Sequence, residues 1–523
     1  MVGTHWRRVG LTAVLVLCLS ACTGSTGSHD SKPSHRHAPR VASSPSSGVQ
    51  ATRRQGAGLM PRVLGGSSRW RLSHAAQGRE IEGYADPVSA APGQRRLLMV
   101  STTASRFSVD AYRIGGYRGG EGRLVWASGS ITGHQQRVPR VTGPTRTVSA
   151  GWPPSISVRT TGWPPGFYLL KLVASSGKQA YIPLVVRSAR TYGRVTLVAP
   201  TMTWEAYNPW GGYSLYRAPS GRQRSWAVSF NRPNEAPGAG QFLYNVLGTV
   251  VLAERLGLPL AYVADTDIAT IPALLMGATA YVSLGHDEYW TVPERRHVTT
   301  ARDNGTNVAF LSSNTMYWRV RLGATAADRN QVVVGYKRDA TTADPLRRSD
   351  PVQTTARWRD PPHPDPENSL TGTLYECFPV VQPYRVAAPT WWGFHGTGVR
   401  AGTRFPHLVA DEADRVYPIA STPHPLQILS YVKYSCGGVT TSTQSTYYTT
   451  PSGAGVINFG TQRWACAVNL HCPALPAKDN VFVRQVMTNV LRKFAEGPVG
   501  TRYPAHDNVA DYPLPLVNQV PAS

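Results

Sequence analysis

The pattern of apolar residues changes near residue 190 of this 523-residue chain. Between about residues 80 and 187, short runs rich in β-branched and aromatic residues are separated by Gly and Pro turn residues. Beyond that point, apolar runs of strand length alternate with segments in which apolar residues recur at helical spacing. Because strands and helices bury side chains at different periods, this change predicts two domains of different class.

The first domain, residues 79–190, is predicted to be an immunoglobulin-like antiparallel β-sandwich. Short strands separated by regularly spaced turn residues are typical of such a sandwich, and no helical period of useful length interrupts them. The predicted strands are residues 97–101, 107–114, 155–160, 168–173 and 181–186.

The second domain, residues 191–497, is predicted to be an α/β domain, followed by a Pro-rich surface tail over residues 498–523. Alternating strands and helices predict a parallel sheet covered by helices on both faces. Residues 331–437 are Pro-rich in part and predict long ordered loops, which often build the site in α/β proteins. Predicted strands are 195–199, 260–264, 280–284 and 308–312, and predicted helices are 244–256, 292–303 and 481–494.

The first 22 residues have the features of a bacterial lipoprotein signal peptide. Basic residues precede an apolar run over residues 9–19, which is too short to cross a bilayer because about 20 apolar residues are needed. Small residues then precede Cys22, which resembles the lipobox cysteine that becomes diacylated. The alternative is a plain secretory signal with an unrelated cysteine.

Residues 23–78 are predicted to form a disordered tether, because the segment is dominated by Ser, Gly, Pro, His and basic residues. We therefore expect a protein that is lipid-anchored at the extracellular face of the cell membrane. The formal net charge of +24 comes from scattered arginines, without a basic helix or motif for nucleic acid. Attraction to anionic headgroups or cell-wall polymers explains this charge more simply, and no partner chain or oligomeric state is indicated.

Four cysteines follow Cys22, and an exported protein meets an oxidising compartment. Two disulfides are therefore the first expectation, Cys466 with Cys472 in a short loop and Cys377 with Cys436. A zinc site with four thiolates is the alternative, although no C-x-x-C pair supports it.

Common catalytic motifs are absent, including H-E-x-x-H, the P-loop and a G-x-S-x-G nucleophile elbow. The densest polar cluster, residues 285–290, lies between a predicted strand and a predicted helix. In a parallel sheet that junction is at the carboxyl edge, where ligands bind, so His286, Asp287, Glu288 and Tyr289 would share one crevice. The alternative is that Asp287 or Glu288 starts the helix and that Tyr289 serves packing.

A second cluster, residues 207–216, combines aromatic side chains with a Gly-Gly pair. Such a segment can form a platform for a ligand, but it can equally pack against a neighbouring domain. We consider Tyr207, Asn208 and Trp210 as candidate pocket residues, together with Asn314 from a later motif.

These motifs occur in a fixed order: Tyr207-Asn208-Pro209-Trp210-Gly211-Gly212, Gly285-His286-Asp287-Glu288-Tyr289-Trp290, Ser313-Asn314-Thr315, Pro366-Glu367-Asn368, Phe459-Gly460-Thr461 and Asp479-Asn480-Val481. In this respect the chain resembles the large (beta) subunit of N,N-dimethylformamidase and its relatives. The resemblance spans about residues 81–494, since the sandwich motifs at 112–117 and 163–168 resemble the preceding domain of such relatives. The small subunit of the amidase has no counterpart in this chain.

The resemblance implies a fold like that of the class I glutamine amidotransferase domain and a mononuclear ferric ion held by two tyrosines and one glutamate. Phenolate and carboxylate are hard oxygen donors that suit ferric iron. Tyr289 is the best match for one ligand and Glu367 for the carboxylate, with Glu376 as its rival. The second tyrosine is assigned to Tyr244, with Tyr262 as the fallback.

Two functions follow from this reading. The first is a metal-assisted hydrolase of a small amide, in which His286 and Glu288 carry out proton transfer beside the metal. The second is a non-catalytic surface protein that binds glycans or cell-wall polymers through its aromatic loops. The presence of an intact metal triad would favour the hydrolase over the binding protein.

Overall fold

The computed structural model of the chain describes residues 65–139, 141, 143–324, 331–470 and 472–514. The predicted signal peptide, Cys22 and most of the predicted tether lie outside the described residues. Within the described ranges, no helix has both the length and the apolar character needed to cross a bilayer.

Nine strands form a two-sheet sandwich at the start of the described chain. One sheet has the order β1-β3-β7, and the other has the order β2-β9-β8-β4-β5 with β6 beside β4; all pairs are antiparallel except β2 with β9. Apolar side chains of both sheets share one core. The strands are β1 (Ile81–Asp86), β2 (Ser89–Ala90), β3 (Arg95–Thr102), β4 (Arg106–Ile114), β5 (Gly122–Ala127), β6 (Ile131–Thr132), β7 (Ile156–Arg159), β8 (Gly166–Ala174) and β9 (Gln179–Val186).

A seven-stranded mixed sheet forms the centre of the second half. Its order is β12-β10-β13-β15-β22-β21-β20, in which the first five strands are parallel and the last two are antiparallel. The predicted strands at 195–199, 260–264, 280–284 and 308–312 are thus present to within two residues. The strands are β10 (Val195–Ala199), β12 (Leu260–Ala264), β13 (Ala280–Ser283), β15 (Asn307–Phe310), β20 (Leu426–Cys436), β21 (Val439–Thr449) and β22 (Gly455–Asn458).

Helices cover both faces of this sheet, because the central strands carry apolar side chains on both faces. One face packs against the second, seventh and eighth helices, and the opposite face packs against the third and fourth. The helix predicted from residue 244 begins as a π-helical turn at Phe242–Val246 and continues as α2. The helices are α1 (Thr201–Tyr207), α2 (Leu247–Arg255), α3 (Asp265–Thr270), α4 (Val292–Asp303), α5 (Ala340–Ala343), α6 (Asn368–Thr371), α7 (Arg463–Ala467) and α8 (Ala477–Ala495).

The long ordered loops predicted for residues 331–437 are only partly present. Much of residues 331–437 forms extended antiparallel structure, namely β18 (Leu374–Arg385), β19 (Arg404–Arg415) and the edge strand β20. Strands β18 and β19 form a two-stranded ribbon that packs on β20 and β21. Polar and apolar residues do not alternate regularly along this ribbon. Its register shifts interrupt the two-residue alternation by which strands are recognised in a sequence.

A smaller four-stranded sheet completes the second half. Its order is β11-β17-β16-β14, and its core holds Tyr289 opposite Trp318. The strands are β11 (Ala227–Ser229), β14 (Tyr289–Thr291), β16 (Trp318–Gly323) and β17 (Val332–Val334).

The sandwich is joined to the α/β part by a buried ion pair. Arg113 of β4 lies 2.8 Å from Glu254 of α2, and the side chains are 1% and 11% exposed. Glu254 also accepts hydrogen bonds from the Gly116 amide, at 2.9 Å, and from the Tyr262 hydroxyl, at 2.6 Å. The Gly115-Gly116 turn thus lets the sandwich approach the helix closely, because a Cβ on Gly115 would lie 2.0 Å from the Glu254 carboxylate.

Both predicted disulfides are present, Cys377–Cys436 and Cys466–Cys472. The first joins the ribbon to the edge strand β20, and the second closes a short loop between α7 and α8. The zinc alternative is therefore wrong.

Candidate active site

The candidate active site lies at the carboxyl edge of the parallel strands. Tyr207 ends the helix after β10, residues 285–288 follow β13, and Asn314 follows β15. Gly285 has φ +94°, and a Cβ there would lie 2.5 Å from the side chain of Asn245. Only glycine therefore permits the turn that directs the next side chains into the site.

Two phenol hydroxyls contact the carboxylate of Glu288. The Tyr207 hydroxyl donates to Glu288 Oε2 at 2.6 Å, and the Tyr216 hydroxyl donates to Oε1 at 2.7 Å. The two phenol oxygens are 3.1 Å apart, and the rings stack with centroids 4.5 Å apart. One carboxylate and two phenols therefore present four oxygens to one small volume.

His286 lies between this group and a second carboxylate. Its Nε2 is 3.2 Å from the Tyr207 hydroxyl and 3.4 Å from Glu288 Oε2. Its Nδ1 is 3.6 Å from Glu412 Oε2. Asn314 donates to the other Glu412 oxygen at 3.1 Å, which orients that carboxylate. The imidazole therefore lies between two carboxylates, and its Nδ1 makes no hydrogen bond within the described residues.

Electrostatics favour a charged imidazole in this pocket. Burial opposes the cation, but Glu412 and Glu288 outweigh it and raise the pKa of His286 to about 9. Burial raises the pKa of Glu412 to about 7, against the attraction of His286. Burial also opposes ionisation of Glu288, yet the hydrogen bond and charge of His286 lower its pKa below the usual value.

The two phenols are neutral in the absence of a cation. Burial and the charge of Glu288 raise the pKa of Tyr207 and of Tyr216 well above the ordinary value. Lys337 is a further buried cation, with Nζ 3.2 Å from the centroid of the Tyr216 ring. Burial lowers the pKa of Lys337 to about 7, so it compensates only weakly for a phenolate.

Tyr289, the first predicted ligand, borders this group through its ring. It packs edge-on against Tyr207 and Tyr216, with centroids 6.3 Å and 6.4 Å away. Within the described chain its hydroxyl makes no hydrogen bond to Glu288. Burial, then the charge of Glu288 and the side chain of Tyr216, raise the pKa of Tyr289 well above the ordinary value. Tyr289 therefore lies beside the cluster, although its hydroxyl does not contact the Glu288 carboxylate.

Glu367 and its rival Glu376 do not join this cluster. Arg359 instead pairs with Glu367, and its Nε donates to both carboxylate oxygens, at 3.2 Å and 3.1 Å. Glu376 is held by Arg415 at 2.9 Å and by the hydroxyls of Tyr417 and Thr441. Each carboxylate is thus already satisfied by protein donors, so the expected meeting of Glu367 with Tyr289 is not found.

Tyr244 and Tyr262 are likewise placed elsewhere. Tyr244 lies on the π-helical turn, where burial and then Asp411 raise its pKa. Tyr262 donates to Glu254 at the domain junction. The predicted ligand set of Tyr289, Glu367 and Tyr244 therefore does not converge, and Tyr207, Tyr216 and Glu288 converge in its place.

The remaining pocket candidates divide into two groups. Tyr207 and Asn314 belong to the cluster described above. Asn208 is structural, because its amide donates to the Pro233 carbonyl at 2.9 Å and its oxygen accepts from the amide of Glu235 at 3.1 Å. Trp210 packs against Trp152 of the sandwich half and donates to Glu82 at 2.7 Å. Both residues therefore support the loop, and Asn208 also lines a cavity beside Tyr207.

Sequence reasoning missed Tyr216, Glu412 and Lys337. Tyr216 lies in the aromatic motif of residues 207–216 and carries the same phenol hydroxyl as Tyr207, so it could have been chosen as a candidate. Glu412 arrives from β19, 98 residues after its partner Asn314, and nothing local marks it. Lys337 has φ +62°, a left-handed conformation that no pattern in the sequence predicts.

The donor chemistry of the site suits a hard cation. Within the described ranges, no group of three or more His, Cys, Asp or Glu side chains is arranged to hold a metal ion. The candidate ligand set instead contains one carboxylate and two phenols, all of which are hard oxygen donors. Fold and site thus define a class: a protein of mixed parallel and antiparallel sheets with few helices and a buried carboxylate, phenol and imidazole site at the edge of its largest described sheet.

Comparison with known proteins gives the family within that class. Residues 108–477 match the family model described as N,N-dimethylformamidase beta subunit-like, C-terminal. The match covers most of the chain, so this protein belongs to that family, and the resemblance inferred from its motifs is confirmed. No curated protein matches the chain.

Among solved structures, the chain is similar to a Paenibacillus sp. cycloisomaltooligosaccharide glucanotransferase in complex with cycloisomaltoheptaose. The identity is 11%, the TM-score is 0.15, and the match covers 40% of this chain and 27% of the other. The chain thus matches only about a quarter of that enzyme's length, and a likeness of this degree carries no argument about fold or function.

Proposed function

We propose that this protein is a metal-dependent amidase that hydrolyses the C–N bond of an amide, with Tyr207, Tyr216 and Glu288 as the ligands of a ferric ion. The observation that carries the proposal is the contact of both phenols with one carboxylate, at 2.6 and 2.7 Å. Membership of the N,N-dimethylformamidase beta-like family supports an amidase-related activity.

The charges of these residues fit a trivalent ion. Two phenolates and one carboxylate carry three negative charges, which would neutralise it. Without a cation the phenols stay protonated because burial and Glu288 raise their pKa values. When bound, such an ion supplies Lewis-acid polarisation of a carbonyl and lowers the pKa of water.

His286 and Glu412 are the proton-transfer pair in this proposal. Amide hydrolysis requires that the attacking water lose a proton and that the departing nitrogen gain one. His286 lies 3.4 Å from Glu288 on one side and 3.6 Å from Glu412 on the other. Because its pKa is about 9, His286 is protonated at neutral pH and can donate a proton to the departing nitrogen, while Glu412, with a pKa of about 7, can accept one from the attacking water. Asn314 holds Glu412 in this orientation.

The test is metal analysis of the purified protein combined with hydrolysis of simple amides. Loading with ferric iron is expected to give one ion per chain and release of amine and carboxylate, and Glu288→Gln should lose both. Glu367→Gln is the matched control and should retain iron. Retention of iron by Glu288→Gln, or its loss from Glu367→Gln, would contradict the ligand assignment. A chain that binds no iron would instead favour the surface binding protein.

We further propose that the sandwich is immunoglobulin-like and that the α/β half is amidotransferase-like. The shared core of the two sandwich sheets and the five parallel strands covered by helices support this.

We propose that the protein is lipid-anchored at the extracellular face of the cell membrane, and the segment before Cys22 alone supports this. The test is to label the expressed chain with a fatty acid. The wild-type chain should take up the label, and Cys22→Ala should not. Absence of label from the wild-type chain would contradict it.

A further inference from the structure

A loop without a polar side chain lies on the surface at the amino edge of the parallel strands. Residues 271–278 contain only Ile, Pro, Ala, Leu, Met and Gly, and they connect α3 to β13. Pro272, Ala273 and Met276 are exposed, and Met276 is 72% exposed. Surface loops are normally polar, because exposed apolar area is unfavourable in water. The loop is therefore a candidate interaction surface.

Tyr192 adds an aromatic ring to this loop. It lies just before β10 and is 77% exposed, so Tyr192 and Met276 are the two most exposed large hydrophobic side chains in the described ranges. The Gly193 amide donates to the Gly277 carbonyl at 2.8 Å, which joins the two segments. The Tyr192 ring lies over Gly277, where a Cβ would be 2.3 Å from it. The phenol ring and the thioether thus protrude from neighbouring positions.

Basic side chains flank these apolar tips. Arg190 and Arg194 lie on either side of Tyr192, the first exposed and the second half-buried. The Arg194 carbonyl accepts from the Thr279 amide at 3.0 Å, which places this arginine beside the apolar loop. Neither residues 188–195 nor residues 271–280 include Asp or Glu. We call Arg190, Tyr192, Arg194 and residues 271–278 the interfacial patch.

The chain that comes from Cys22 enters the described structure on the same side. Gly65 pairs with Arg118, in the turn after β4. Gly116 of that turn packs against Arg255 at the end of α2, where a Cβ would lie 2.8 Å from the Arg255 amide nitrogen. Helix α2 leads into β12, whose amino end lies beside that of β10. The tether and the interfacial patch are therefore both at the amino edge of the sheet.

We propose that the interfacial patch docks onto an anionic phospholipid membrane. Tyr side chains favour the headgroup level of a bilayer, apolar side chains favour its acyl boundary, and arginines are attracted to anionic headgroups. An anionic wall polymer would attract the arginines but would give the apolar loop no contact. Docking to the membrane of the native cell rests on the proposed lipid anchor at Cys22.

Docking at this edge fixes the direction in which the candidate active site faces. The site lies at the carboxyl edge of the same strands, which are four or five residues long. That length puts about 15 Å of sheet between the interfacial patch and the site. The site therefore faces away from the bilayer, and its substrate enters from the water outside.

The test is sedimentation with vesicles of equal parts phosphatidylglycerol and phosphatidylcholine. The chain used is residues 22–523 with Cys22→Ser, which carries no lipid and keeps every described residue. It should bind the vesicles, and Tyr192→Ser/Met276→Ser should bind about tenfold more weakly because apolar contact is lost. Arg190→Gln should weaken binding about fivefold, because one charge is removed.

The matched control is Phe378→Ser/Val481→Ser, which removes an aromatic and an aliphatic side chain from β18 and α8. These two side chains are 56% and 63% exposed, and both lie outside the interfacial patch. The control should bind as the unsubstituted chain does. In a second measurement, an environment-sensitive fluorophore on Met276→Cys should shift to shorter wavelength when vesicles are added, and the same label on Val481→Cys should not.

Three results would overturn the proposal. The first is no binding to the anionic vesicles. The second is equal binding by Tyr192→Ser/Met276→Ser and its control, with a loss only in Arg190→Gln, which would assign the surface to an anionic polymer. The third is self-association of the unsubstituted chain that Tyr192→Ser/Met276→Ser abolishes, which would assign it to a second copy.

The fatty-acid label at Cys22 separates this inference from the proposed anchor. A chain that takes up the label but does not bind vesicles without its lipid would sink only the docking surface. Vesicle binding through the interfacial patch by a chain that takes up no label would sink only the lipid anchor.

Discussion

Tyr207 donates a 2.6 Å hydrogen bond to Glu288 across 81 residues of sequence. The contact exists because β10 and β13 are parallel neighbours, so the segments that follow them meet at one edge of the sheet. Tyr216 adds its hydroxyl to the same carboxylate from the loop after α1. The arrangement gives a compact set of hard oxygen donors.

Glu412→Gln is expected to retain iron and to lower kcat by about a hundredfold or more, because general acid–base catalysis contributes about 10² to 10⁴. Glutamine keeps the contact with Asn314 but removes the charge that stabilises protonated His286. Steady-state kinetics and metal content measure the two effects separately. Loss of iron in this variant would show that Glu412 belongs to the ligand set.

Glu294→Gln tests the buried acids beneath the site. Burial, then Asp265 and Asp287, raise the pKa of Glu294 well above 4.5, so the folded protein holds a proton that the unfolded chain releases. Stability therefore falls as the pH rises above about 4.5, by up to about 1.4 kcal/mol per pH unit. The variant should match wild type near pH 4 and exceed it at pH 8 in denaturant unfolding. Glu235→Gln, at an exposed position, is the control, and equal pH slopes in all three proteins would refute the argument.

Arg113→Met should destabilise the protein by about 3–5 kcal/mol, because it leaves the Glu254 carboxylate buried without its cation. Arg71→Met breaks the exposed pair with Glu121, where the arginine is 51% exposed, and should cost about 1 kcal/mol or less. Urea unfolding compares the two. Similar effects would mean that the sandwich contact contributes little to the fold.

The two disulfides should differ in their contribution. Cys377–Cys436 closes 59 residues and Cys466–Cys472 closes 6, so loop entropy predicts about 4 and about 2 kcal/mol. Paired Cys→Ser variants, unfolded thermally, test this order. A larger loss from opening the short loop would contradict the entropic argument.

The parallel strands were predictable because their apolar runs are continuous and their helices end at glycines such as Gly257 and Gly305. The ribbon of β18 and β19 was not, since its register shifts hide the strand period. In the site, His286 and Glu288 were found from a local motif at a strand end. The sequence alone could not rank Glu288 above Glu367 and Glu376, because all three carry the same chemistry and only the fold shows that arginines pair with the last two.

The central claim is tested most directly by the visible absorption of the iron-loaded protein, in which a phenolate bound to ferric iron gives a charge-transfer band. The wild-type protein and Tyr289→Phe should both show the band, because the Tyr289 hydroxyl makes no hydrogen bond to Glu288 within the described chain. Tyr207→Phe and Tyr216→Phe should each weaken or abolish it. A band that survives both of these single variants and disappears in Tyr289→Phe would contradict the assignment.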